Sequence, residues 1–182
     1  MKDTRTEIVN LAEKLIRTRG YNGFSYKDIS TPLNIKNAAI HYHFPTKCDL
    51  GVAVVNRNRN SFAVAVKKWS MESPDIQLLR FIKIYEDSNT SNMVCFMGAF
   101  GSSFDSLPTE LQAVLTTSSA EIRQWLNQLL KKGLDENVFK FSGDIESQAD
   151  SIISSLLASL ILSKVTGQNI LTNVRSVINR II

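Results

Sequence analysis

The side chains best suited to chemistry fall in one short stretch. Between Ser25 and Lys47 the chain places Lys36, Asn37, His41, Tyr42, His43 and Lys47, a set of cations, an amide, two imidazoles and a phenol. Such groups donate to phosphate oxygens, and an Asn amide can pair bidentately with an adenine edge. Catalysis is a poorer fit. The sequence shows no nucleophile with a base and an orienting group, no phosphate-cradling glycine loop and no ligands at metal spacing. His41 and His43 stand two apart, so on a helix their rings diverge, and no third ligand lies nearby in sequence. The chemistry on offer is recognition of a polyanion, with no cofactor or metal required.

Two short helices must position these groups. Ser25 followed three residues later by Asp28 is a capping signal that starts a helix at about Tyr26. Asn34, which tolerates the left-handed conformation, ends it. A second apolar-spaced run covers residues 37–44 before Pro45 blocks continuation. Two helices separated by about three residues fit a helix-turn-helix. In the second, Ile40 and Phe44 belong to the packed face, which leaves Lys36, Asn37, Ala38, Ala39, His41, Tyr42 and His43 for DNA. Ala38 and Ala39 are small enough to let the helix approach and to touch thymine methyls, while Tyr42 and His43 can hold phosphates. His41 serves equally as a packing residue, and Lys27 equally as a solvated surface lysine. Pro32 removes an amide and is expected to end or bend the first helix early.

With its flanks, this stretch resembles the tetracycline-repressor (TetR) family of one-component bacterial regulators. The likeness rests on an amphipathic helix over residues 4–21 that ends in Arg-Gly-Tyr, and on a Ser-capped helix over 25–33. It extends to the Asn-Ala-Ala-Ile-His-Tyr-His-Phe run of 37–44 and the Pro45-Thr46-Lys47 step leading to Leu50. The resemblance implies phosphate-clamp roles for Tyr42, His43 and Lys47, and further backbone or base-edge contacts from Ser25, Tyr26 and Lys27. It also implies a two-fold dimer on a double-stranded DNA operator, and a C-terminal site for a small, mainly apolar effector that moves the fourth helix and separates the recognition helices. Against the family pattern, His41 stands where Tyr is usual and Lys36 replaces the usual Ser/Thr cap.

Charge divides along the same line. Residues 1–70 hold twelve Lys/Arg against five Asp/Glu, and residues 71–182 hold nine against twelve, within a net charge of +4. A polyanion-binding head on a neutral-to-acidic body has this asymmetry. Cys48 and Cys95, in a chain whose start lacks a basic-plus-apolar leader, point to a reducing cytoplasm without a disulfide framework. Cys48 in a helix's first turn keeps a redox-sensing regulator open, and a helical protein-interaction module without DNA binding is a third reading.

The remaining sequence reads as all-α. A three-helix head over residues 1–50 is joined by a long fourth helix to a helical effector-binding and dimerisation domain over 51–182. Helix one spans about 5–19 with a Thr4/Glu7 capping box, and helix four about 46–71, roughly 35 Å long. Further helices are expected over about 74–87, 94–104 and 108–132, then from 144 and from 169, with a polar loop at 88–92. Large apolar residues gather where helices four to seven converge, and define the expected ligand pocket: Phe62, Val66, Trp69, Phe81, Tyr85, Phe96, Met97, Phe100, Phe104, Trp125 and Leu129. The eighth helix is apolar nearly all round and the ninth carries a stripe to the terminus, so pairing through Ile153, Leu156, Leu157, Leu160, Val174, Val177, Ile178 and Ile181 is expected. The apolar run at 152–165 is interrupted by serines and Lys164 and reads as a buried helix, not a membrane anchor.

Overall fold

The computed structural model describes residues 3–182, and the described residues form helices and turns without a strand. In the head, α1 spans Thr4–Arg19, α2 Tyr26–Leu33 and α3 Asn37–His43. Helix α1 starts on Asp3 instead of the expected Thr4/Glu7 box: the Asp3 carboxylate accepts from the Arg5 amide at 3.2 Å and the Thr6 hydroxyl at 2.8 Å. Gly20 ends it at φ +81°, a backbone region that disfavours side chains. At α2 the Asp28 carboxylate accepts from both the amide and the hydroxyl of Ser25, each at 2.8 Å. Pro32 sits in the last turn, where α2 passes through it and stops at Leu33 on left-handed Asn34. Lys36 precedes α3 without a side-chain cap.

Helix α4, Lys47–Trp69, begins on a reciprocal Thr46/Asp49 cap and runs 23 residues, about 35 Å. The body comprises α5 (Pro74–Thr90), α6 (Phe96–Gly101), α7 (Thr109–Asp135), α8 (Ile145–Thr166) and α9 (Ile170–Ile178). Helix α5 overruns the expected polar loop because Ser88 and Thr90 return their hydroxyls to the carbonyls of Ile84 and Glu86. Helix α6 is shorter than expected, with glycines at 98 and 101, and a separate 3-10 turn follows at Phe104–Ser106. On α7, Gly133 is required by close approach: a Cβ there would lie 2.0 Å from the Phe139 ring.

Two cores form. Ile8, Ile16, Ile29, Ile40, Phe44, Leu50 and Val54 fill the head together with Phe100, Leu107, Leu111 and Leu115, so apolar packing continues across the expected boundary at residue 50. Leu78, Phe81, Ile82, Leu126, Leu130, Phe139, Leu156 and Leu171 fill the body. Helix α8 has the length and mean hydropathy, 1.4, of a membrane-crossing segment, with a third of its most apolar stretch buried inside this chain. It packs on α5, α6, α7 and α9, and its remaining apolar face is open, as expected of a helix too apolar for one chain to cover.

Candidate nucleic-acid interface and effector cavity

Helix α3 turns Ile40 and Phe44 into the head core and exposes Asn37, Ala38, His41 and Tyr42, the last at 83%. Lys36, Ser25 and Lys27 are also exposed, while Ala39 and His43 are half-buried. The outward residues form one strip because positions three and four apart share a helix face. Two fasteners fix this strip. The Tyr26 hydroxyl donates to the Phe44 carbonyl at 2.9 Å, and its ring meets His41 edge-on at 4.8 Å. His41 Nδ1 lies 3.2 Å from the Pro45 carbonyl.

The second fastener is Lys47. Its ammonium donates to the Phe24 carbonyl at 2.5 Å and stands over the Phe24 and Tyr21 rings at 4.3 and 5.0 Å. Burial holds its pKa below the usual lysine value. Tyr26 and Lys47 thus differ from the expectation of DNA contacts: main-chain carbonyls at the turns offer acceptors nearer than solvent, and both side chains turn inward. Ser25 likewise gives its hydroxyl to Asp28. Burial pushes the Tyr26 phenol up to about 12, so it remains a hydrogen-bond donor at neutral pH.

Helices α1, α4, α5, α6 and α7 converge on a cavity of about 300 Å³. From α4 its wall takes Val55, Asn58, Phe62, Ala65 and Trp69, a stripe at alternating spacings of three and four. Phe81, Ile84, Tyr85 and Ser88 come from α5, Cys95, Phe96 and Met97 from around the start of α6, and Leu115, Ser118, Ser119 and Ile122 from α7. Arg17 of α1 completes it. Of the expected pocket residues, Phe62, Trp69, Phe81, Tyr85, Phe96 and Met97 line this space.

The others do not. Val66 and Trp125 lie in a surface groove with Arg59 and Glu121, although Trp125 supports the cavity from behind at 5.4 Å from Phe62 and 5.2 Å from Phe81. Phe100 is buried against Tyr21 at 5.6 Å, and Phe104 borders a different groove. Leu129 is in the body core. Size alone does not select a wall residue: on a helix packed on two sides, each large side chain must choose one side. The missed residues, Arg17, Asn58, Ala65 and the serines, are small or polar, and Arg17 meets Ser88 across 71 positions, beyond any local signal. A larger groove of about 850 Å³ between α1 and α4 is more open and carries a more polar lining.

Both thiols are free. Burial pushes the Cys48 and Cys95 thiols up, with Glu110 and Asp49 adding to the effect at Cys48, so neither favours the thiolate that redox sensing requires. On the outside of the body, Ile161, Leu162, Val165 (78% exposed) and Val177 (57% exposed) form the uncovered apolar surface of α8 and α9. Leu156, Leu160, Ile178 and Ile181, expected at a dimer seam, are buried within the chain, while Ile153, Leu157 and Val174 are half-buried. The expected face of α8 is thus already occupied by α5, α7 and α9, and of the expected seam residues Val177 lies on the uncovered surface.

Comparison with known proteins agrees with this architecture. Residues 8–54 match the sequence model of bacterial regulatory proteins of the tetR family. The structure of a TetR transcriptional regulator from Legionella pneumophila superposes with a TM-score of 0.89 at 34% identity, covering 99% of this chain and 97% of that one. A TetR-family regulator from Agrobacterium tumefaciens gives 0.89 at 25% identity over 98% and 97%. A chain from Saccharomonospora viridis in complex with choline shares the fold, with a TM-score of 0.78 at 21% identity over 99% and 95%. No curated protein matches. A helix-turn-helix head, a body built like theirs and full-length likeness to the Legionella regulator establish that this chain belongs to the TetR family of DNA-binding transcriptional regulators.

Proposed function

We propose that this regulator is a ligand-responsive repressor whose homodimer holds a palindromic operator until a small, mainly apolar effector enters the cavity of each body. The observation that carries the reading is the cavity's membership. It draws walls from α4, which starts beneath the recognition strip, and from α1, which floors the head. A ligand in that space touches both supports of α3 at once. The related choline complex supports small-molecule occupancy of this fold.

Asn37, Ala38, Ala39 and His41 read base edges, while Tyr42, His43, Lys36 and Lys27 serve the phosphates. Tyr26 and Lys47 set the pose of the strip from within. The uncovered apolar surface of α8 and α9 supplies the dimer contact, since a wet surface of this kind marks an interaction site. Two recognition helices then read half-sites about one helical turn apart. Effector binding releases DNA only by preferring the arrangement with low DNA affinity, and DNA must weaken effector binding by the same factor.

The test begins with duplexes selected from a random pool by the purified protein. Selected sequences should be palindromic, binding should weaken steeply with salt, and sedimentation should show a dimer at micromolar concentration. Non-palindromic selection by a monomer would reject the reading.

A further inference from the structure

We infer that the effector is a small amphipathic monoanion, an aromatic or short aliphatic carboxylate whose body lies among Phe62, Trp69 and Phe96 and whose head group meets Arg17 and Tyr85. The inference rests on the effector reading above and names the chemical class it takes. Arg17 is the sole charged side chain lining the cavity among the described residues, and it is 11% exposed. Its Nε donates to the Val94 carbonyl at 2.9 Å, Nη1 to Glu13 at 3.2 Å and Nη2 to the Ser88 hydroxyl at 2.6 Å. A guanidinium has five N–H groups, so two remain to be satisfied.

The charge around Arg17 is not balanced. Glu13, its one carboxylate neighbour, also accepts from Arg57, so two guanidiniums share a single anion and Arg17 is only partly neutralised. Tyr85 supplies a second donor. It lines the same space one turn from Ser88, and its hydroxyl, which hydrogen-bonds to no described residue, is accessible and not sealed in the core. An accessible phenol at a cavity wall is free to donate to a bound ligand. Aromatic walls alone would suit a cation equally well. Beside a desolvated guanidinium, however, a cation is repelled, a neutral ligand leaves donors unpaired, and a carboxylate satisfies them bidentately. The volume, about 300 Å³, lies at the small end of ligand cavities.

The same contact reaches the head. Arg17 stands on α1, and Val94 both accepts from its guanidinium and donates its own amide to the Arg17 carbonyl at 3.1 Å. A carboxylate on the two unused N–H groups pulls the guanidinium toward the cavity, against the Val94 carbonyl and Ser88 hydroxyl contacts that fasten α1 to the body.

Three probes of equal shape test this on the full-length dimer at neutral pH, read by tryptophan fluorescence: 3-phenylpropionate, 3-phenylpropanol and 3-phenylpropylammonium. The acid should bind at least about tenfold more tightly than the alcohol, and the ammonium most weakly. Arg17→Gln should erase the preference for acid while keeping alcohol affinity within a few-fold, which also checks that the cavity is still formed. Tyr85→Phe, which removes only the hydroxyl, should weaken the acid about three- to tenfold. A wild-type protein that binds alcohol or ammonium as well as acid, an acid preference that survives Arg17→Gln, or no binding of any probe at millimolar concentration would overturn the assignment. Operator release is measured in the same samples. Arg17-dependent acid binding without loss of DNA affinity would refute the effector reading and leave the chemical class standing.

Discussion

The recognition strip and the cavity are assembled over different chain distances. The strip is set by contacts three residues apart at the Ser25/Asp28 and Thr46/Asp49 caps, and by Tyr26 to Phe44 and Lys47 to Phe24 across 18 and 23 positions. The cavity is closed by Arg17 with Ser88 and Val94 across 71 and 77 positions. A surface fastened by near neighbours keeps its shape when the domain moves as a unit. A space enclosed by five helices changes shape whenever one of them shifts. The pairing suits a switch in which a rigid reader is repositioned by a deformable sensor.

The largest effect should come from cutting the head's own core. Phe44→Ala empties a buried position beneath α3 and should cost about 3–5 kcal/mol and abolish DNA binding. Urea unfolding followed by tryptophan reports the body alone, because both tryptophans lie there at positions 69 and 125. A lowered tryptophan midpoint would mean that Leu111, Leu115 and Phe100 couple the head to the body as one cooperative unit, which would break the contrast drawn above. An unchanged midpoint would sharpen it. Next in size is Val165→Arg, which places a charge on the uncovered α8 surface and should yield monomers by sedimentation and a large loss of operator affinity. A fully dimeric variant would move the interface elsewhere.

Within the strip, Asn37→Ala should cost about 1–3 kcal/mol against the preferred duplex, relax one base position and leave the salt slope unchanged. Lys47→Ala separates two roles for one residue. As an internal fastener it should lower head stability by about 1–2 kcal/mol, because the ammonium's hydrogen bond and ring contacts are only partly shielded from water, and weaken all duplexes alike without changing the salt slope. A slope smaller by about one would instead return Lys47 to the phosphate contacts.

Sequence reached the strip more fully than the cavity for a physical reason. Ser25, Asp28, Asn34, Thr46 and Asp49 act on amides within four positions, so their effect is written beside them. The apolar spacing of Ile40 and Phe44 likewise settles which face of α3 is buried. Inward rotation of Tyr26 and Lys47 depended on carbonyls at Phe44 and Phe24, whose positions exist only after folding. For the cavity, the convergence of α4 to α7 followed from helix order and aromatic content, but its lining did not. Ala65 and Asn58 belong to the wall because they share a stripe with Phe62, and Val66, though larger, faces away. Arg17, which no local pattern singles out, lies against Phe96 at 5.3 Å. The open α8 surface was foreseen from an excess of apolar residues, but which edge remained uncovered was decided by α5, α7 and α9.

The smallest expected effects come from titrating the head caps and the cavity's buried groups. In the head, Asp28 is held below the usual carboxylate range first by the Ser25 amide, and Asp49 first by the Thr46 hydroxyl. A depressed folded pKa stabilises above the unfolded value, about 4, and that contribution is lost as pH falls through the folded pKa. In the cavity the direction reverses: burial raises the Cys95 thiol and the Tyr85 phenol. Their neutral forms are favoured in the fold, so stability is intact below the unfolded thiol value, about 8.5, and declines as pH rises beyond it. Acid should therefore remove what the two head caps contribute and alkali what the cavity's thiol and phenol contribute, with Asp144 and Asp150 of the body adding to the acid limb and Cys48 and Tyr26 of the head to the alkaline one. Urea midpoints measured across that range should fall at both ends, with the acid limb flattened by Asp28→Asn with Asp49→Asn and the alkaline limb by Cys95→Ala. If the double Asn variant kept the wild-type acid limb, the caps would not be its source. If Cys95→Ala left the alkaline limb unchanged in wild-type and Tyr85→Phe backgrounds alike, burial in the cavity would not govern that limb.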